Sequence, residues 1–121
     1  CPQVLETQEN LLPTGKILSV KNTKYDFLNK KKIGATRLDD PMGIGKDSNV
    51  VGYVHSDKTG ISMQVITNQP AVVVYTPPGF AAICFETQNY PDAPNQPNFP
   101  SSVLKPGETY LNESEFIFGV E

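Results

Sequence analysis

Proline and glycine interrupt this chain so often that a long helix has nowhere to form. Eleven prolines and nine glycines fall among 121 residues. Proline removes a backbone donor and glycine loosens the backbone, so both punctuate rather than extend regular structure. The runs left between them are short and rich in β-branched and aromatic residues, and none carries a 3.6-residue apolar stripe. Strands are expected at Lys16–Val20, Val50–His55, Ile61–Ile66, Ala71–Thr76, Ala81–Thr87 and Glu115–Val120, with a short extended piece at Tyr25–Leu28. Turns are expected at Leu12-Pro13-Thr14-Gly15, Asn22-Thr23-Lys24, Asn68-Gln69-Pro70, Pro77-Pro78-Gly79 and Lys105-Pro106-Gly107-Glu108. Ser56–Gly60 is a five-residue, glycine-closed loop, which makes residues 50–66 a hairpin. Ile61, Met63 and Val65 alternate with Ser62 and Gln64, the period of a half-buried strand. The whole pattern predicts an all-β, antiparallel sandwich or barrel with under about 10% helix, against an ordinary share near a third.

Composition narrows the partners. Hydrophobic residues make up 38% of the chain, enough for a core. The formal net charge is −3 and Arg37 is the only arginine, a poor basis for holding phosphate backbones, so no nucleic acid partner is expected. No apolar run approaches the length of a membrane helix, so no membrane partner is expected. Cys1 and Cys84 make no disulfide framework, which points to a cytoplasmic setting. No Cys/His cluster has zinc spacing, so no metal site is expected. The chain starts at Cys1, within what reads as an ordered segment, so it is expected to be part of a longer polypeptide. Gly43-Ile44-Gly45-Lys46-Asp47-Ser48 fails the phosphate-loop pattern, with Asp40 where the first glycine belongs and Asp47 after the lysine; it reads as a turn. Lys30-Lys31-Lys32 reads as a solvated loop.

Chemistry concentrates in residues 81–100. Ala81-Ala82-Ile83-Cys84-Phe85 is an apolar run that ends on Glu86. A carboxylate at the end of a buried strand is paired, hydrogen-bonded or functional, because desolvation disfavours its charge. In strand phase Ala82, Cys84 and Glu86 share one face, with Ile83 and Phe85 on the other. Small residues leading to Glu86 leave room for a ligand, and the bulky side packs inward. The competing reading is a strand-end carboxylate paired with a lysine. Gln88 and Asn89 are neutral amides that hydrogen-bond a polyhydroxylated ligand in both directions. Pro91, Pro94, Pro97 and Pro100 recur every third residue, the polyproline II period, and predict a stiff extended loop lining a site. His55, the only histidine, reads as a surface residue at a hairpin mouth.

A family resemblance rests on these residues. Phe85-Glu86-Thr87-Gln88-Asn89-Tyr90-Pro91-Asp92-Ala93-Pro94-Asn95-Gln96-Pro97, followed by Lys105-Pro106-Gly107-Glu108-Thr109-Tyr110, resembles the C-terminal signature of the aldose 1-epimerases, the galactose mutarotases. Leu12-Pro13-Thr14-Gly15-Lys16-Ile17, Tyr25-Asp26-Phe27 with Ile33-Gly34, and Val74-Tyr75-Thr76 resemble further family stretches, in order. The resemblance implies that residues 1–121 are the C-terminal part of a large antiparallel β-sandwich holding a monosaccharide in an open cleft. It implies an isomerase that interconverts α and β anomers of a free aldose such as galactose or glucose, without a cofactor. Glu86 matches the general base. Asp39 is the best match to a sugar-binding aspartate, with Asp40 the fallback. The family's histidine acid, a second histidine and a sugar-binding arginine belong to an N-terminal part, which is the expected partner. Val73 stands where many members carry glutamine. The alternative is a non-catalytic, sugar-binding or structural sandwich of the same descent.

Overall fold

A computed structural model describes residues 1–45 and 48–121 of the chain. Among the described residues there are eight strands: β1 (Gln3–Thr7), β2 (Pro13–Ser19), β3 (Asp39–Gly43), β4 (Val50–His55), β5 (Ile61–Thr67), β6 (Ala71–Tyr75), β7 (Cys84–Gln88) and β8 (Ser114–Val120). The only helical element among the described residues is a three-residue 3₁₀ turn, Ala93–Asn95. All strand pairs are antiparallel. They form a five-stranded sheet, β2-β1-β3-β6-β7, and a three-stranded sheet, β4-β5-β8. Among the described residues no helix is long and apolar enough to cross a membrane.

The sheets pack face to face through Leu38, Met42, Val72 and Val74 from the first and Val51 and Val65 from the second. Phe85 of β7 enters this core over Gly52, where an added Cβ would come 2.8 Å from the Phe85 ring. A second cluster lies on the opposite face of the five-stranded sheet. There Leu5 and Ala71 are covered by Tyr90, Ala93 and Phe99, with the Tyr90 and Phe99 rings edge to face at 5.1 Å.

The hairpin and the later strands lie where the sequence predicts them, within three residues at any end. Two strands, β1 and β3, were not expected, and β2 begins earlier than expected. β1 was hidden in a polar-looking start, although Val4 and Leu5 are both buried. β2 begins at Pro13, inside the expected turn; it is an edge strand, where a missing N–H costs no ladder bond. β3 runs through Asp39-Asp40-Pro41, a sequence that reads as a breaker. Its ladder to β1 holds only Gln3–Gly43 and Val4–Met42, so pairing on that side stops before Pro41.

Two loops also differ from expectation. Tyr25–Leu28 is not extended: the Asp26 carboxylate accepts from the backbone N–H groups of Asn22 and Leu28 and closes local turns. The proline-spaced segment is compact rather than polyproline. Asp92 takes φ 59° and Pro94 sits in the 3₁₀ turn, where its fixed φ is equally at home. The expected turn at residues 43–48 falls partly on Lys46 and Asp47, outside the described residues.

Candidate active site

In an antiparallel ladder, directly opposed residues share a face. The registers across β3, β6 and β7 therefore define three rows on the outer face of the five-stranded sheet. They are Asp39–Tyr75–Cys84, then Pro41–Val73–Glu86, then Gly43–Ala71–Gln88. Asp39, Glu86 and Gln88 thus lie on one face, contributed by two strands that flank β6. Asp39 and Glu86 sit two strand spacings apart and two residues offset, roughly 12 Å between backbones. The proline-rich loop covers the Ala71 end of this face and leaves the Asp39 and Glu86 end open.

Glu86 differs from its sequence reading in two respects. It is the middle residue of β7 rather than its end, because pairing with β6 starts only at Tyr75–Cys84. It is also exposed, because β7 is an edge strand and the loop stops short of it. Among the described residues no lysine or arginine forms an ion pair with Glu86. The phase expected for Glu86 and Phe85 holds, with Phe85 turned into the core.

The two aspartates part company. Asp40 faces the core side, where the Tyr25 hydroxyl donates to Oδ1 at 2.8 Å and Lys24 Nζ lies 3.7 Å from Oδ2. Burial pushes the Tyr25 phenol above its ordinary value, and the bond to Asp40 adds to that. Burial pulls Lys24 down, but Tyr25 and Asp40 outweigh it and the ammonium is held above its ordinary range. Asp40 is therefore occupied in fixing the 24–28 turn, while Asp39 is exposed on the outer face.

His55 is not the surface residue expected. Its side chain is 15% exposed, and Nδ1 is buried without a hydrogen-bond partner, Asp57 Oδ1 standing 3.3 Å away. Lysines of the 30–32 run lie across the same region, Lys30 over the Tyr53 ring and Lys32 paired with Asp57. Sequence adjacency gave no sign that this loop crosses the hairpin. His55 lines a hollow of about 700 Å³ together with Phe85 and Val74, on the face opposite Glu86. This hollow and the carboxylate face are thus on different sides of the sheet. No group of three or more metal-ligating side chains gathers among the described residues.

The chain is thus an antiparallel β-sandwich protein in which an edge strand presents a carboxylate, Glu86, and an amide, Gln88, on its outer face. The aldose 1-epimerase family model matches residues 2–116, and the chain belongs to that family. It is 31% identical to human galactose mutarotase, covering 96% of this chain and 41% of that protein. It is 33% identical to the mouse galactose mutarotase and 26% identical to the aldose 1-epimerase of Escherichia coli. A GalM/aldose epimerase homologue from C. elegans superposes with a TM-score of 0.89 at 26% identity, over 98% of this chain and 43% of that one. The chain spans about two fifths of the length of the curated relatives it matches, at their C-terminal end.

Proposed function

We propose that the chain is the C-terminal portion of an aldose 1-epimerase acting on a free aldose such as galactose or glucose, with Glu86 as general base. One observation carries this reading: Glu86, Gln88 and Asp39 share the outer face of the five-stranded sheet. Glu86 takes the proton of the anomeric hydroxyl while an acid protonates the ring oxygen. The bond between anomeric carbon and ring oxygen breaks, leaving a carbonyl. Rotation about the adjoining carbon–carbon bond presents its other side, and reclosure returns both protons. Gln88 and Asp39 hold neighbouring hydroxyls, the amide as donor and acceptor and the carboxylate as acceptor. His55 is on the wrong side of the sheet to serve as the acid. The acid therefore comes from the part of the fold that the relatives carry beyond the region this chain spans.

Val73 favours a second reading. It lies directly opposite Glu86, at the centre of the face, where an amide would add a sugar contact. A site that binds sugar without turning it over fits that loss. Polarimetry on the complete polypeptide separates the two. Glu86→Gln keeps shape and hydrogen bonding but removes the base, so turnover should fall by roughly 10²–10⁴-fold with little change in sugar affinity. Full activity in that variant, or no activity in the unaltered enzyme, would refute the general-base role.

A further inference from the structure

One more charged group stands beyond Asp39. β3 is tied to the end of β6 by a further pair. The Thr76 N–H donates to the Leu38 carbonyl, and the Leu38 N–H donates to Thr76 Oγ1, both at 2.9 Å. Leu38 is thereby seated in the core, 3% exposed. Its two neighbours, Arg37 and Asp39, are both exposed. Strand alternation puts them on the same side of the sheet, about 7 Å apart along the chain. Arg37 is the only arginine in the chain, and among the described residues it forms no ion pair. Its backbone is held by Lys24 Nζ, which donates to the Arg37 carbonyl at 3.4 Å. Arg37 borders a hollow of about 570 Å³ between residues 33–37 and the β6–β7 turn. Phe80 lines the same hollow, 71% exposed. The turn that presents it is stiffened by Pro77 and Pro78 and closed by Gly79 at φ 71°. Among the described residues no lysine lines this hollow.

We propose that Arg37 is a specificity-determining residue of the sugar site. It selects an aldose that carries a carboxylate at the end remote from its anomeric carbon, a hexuronic acid. The proposal rests on the general-base reading of Glu86. Two strand spacings and four residues of offset separate Glu86 from Arg37, roughly 17 Å between backbones. A glutamate side chain, a hexose ring and an extended arginine together bridge such a gap. Asp39 lies between the two in offset, placed to hold a ring hydroxyl. The guanidinium fork of Arg37 matches the two oxygens of a carboxylate. A dianionic phosphate calls for a second cation, and the hollow supplies none among the described residues. Asp39 and Glu86 carry the same sign as the ligand, and Arg37 is exposed. The gain in affinity is therefore modest, about three- to tenfold.

The test uses the complete polypeptide. Titration calorimetry compares galacturonate, galactose and the galactose phosphate whose phosphate sits on the same carbon as that carboxylate, and polarimetry follows the turnover of each. Galacturonate should bind about three- to tenfold more tightly than galactose, and the preference should shrink at high salt. Arg37→Gln should bring the ratio of the two affinities to about one, and Arg37→Lys should restore it only in part, because the fork is lost. Lys24 holds the Arg37 carbonyl rather than its side chain, so both variants keep that contact. An Arg37-dependent preference in a polypeptide that turns over no sugar leaves the Arg37 subsite standing and counts against Glu86 as the base. Equal binding of galacturonate and galactose, a preference that survives Arg37→Gln, or tighter binding of the sugar phosphate than of galacturonate would each overturn the proposal.

Discussion

At the scale of single residues, the site depends on what stands behind it. Glu86 can face outward only because its neighbour Phe85 is seated inward, and Phe85 has room only because residue 52 has no side chain. Gly52→Val should therefore destabilise the fold by about 1–3 kcal/mol through overpacking, read by urea unfolding. The same change should shift β7 and impair sugar binding without touching any group on the outer face. Asp39 and Asp40 are adjacent in sequence and lie on opposite faces of β3. Asp40→Asn should lower stability, because Tyr25 and Lys24 lose their charged partner. Asp39→Asn should leave stability unchanged and raise KM for sugar in the complete enzyme. A reversal of those two outcomes would exchange the assignments.

At the scale of elements, the proline-rich loop and the 21–28 turn clamp opposite faces of the five-stranded sheet. The loop is held to β2 by Gln96 Nε2 donating to the Pro13 carbonyl at 3.1 Å and by Asn98 Nδ2 donating to the Gly15 carbonyl at 2.6 Å. Its apolar anchor is Phe99, 7% exposed against Tyr90. Phe99→Ala should cost about 3–5 kcal/mol and free the loop that bounds the site, a change visible as faster hydrogen exchange at residues 90–99. The turn gives an alkaline limit. Tyr25 and Lys24 both hold their protons more tightly in the folded chain than when unfolded. Burial does the same for Tyr90. The folded state then binds more protons than the unfolded one, so stability falls as pH rises past the ordinary tyrosine value of 10.0. Melting temperature should decline above that pH, and Tyr25→Phe should flatten the decline while lowering stability at neutral pH.

At the scale of the whole molecule, two sheets of unequal size leave surface that this chain does not cover. The five-stranded sheet meets only three strands, and the third of these is exposed along its length. A dye that fluoresces in apolar surroundings should bind the isolated chain strongly, and Phe116→Lys combined with Phe118→Lys should reduce that signal severalfold. An unchanged signal would place the bound dye elsewhere, the hollow beside His55 being the alternative.

The sequence by itself determined that the chain is β, where its hairpin turns, that Phe85 faces in, and which family it belongs to. Those features are local: alternation, turn chemistry and a contiguous motif survive in one dimension. Tertiary structure decided what needs two strands to define. That Asp39 shares a face with Glu86, while Asp40 does not, follows from the β3–β6–β7 register, which no single segment encodes. β3 was illegible because Asp-Asp-Pro disfavours a strand locally and is overridden by five pairings with β6. The prolines at residues 91–100 suit polyproline and 3₁₀ geometry alike, and burial of Tyr90, Ala93 and Phe99 selected the compact form. Glu86 read as buried because its strand is apolar, yet it is exposed. Burial depends on the layer above a strand, and over this end of β7 the chain provides none.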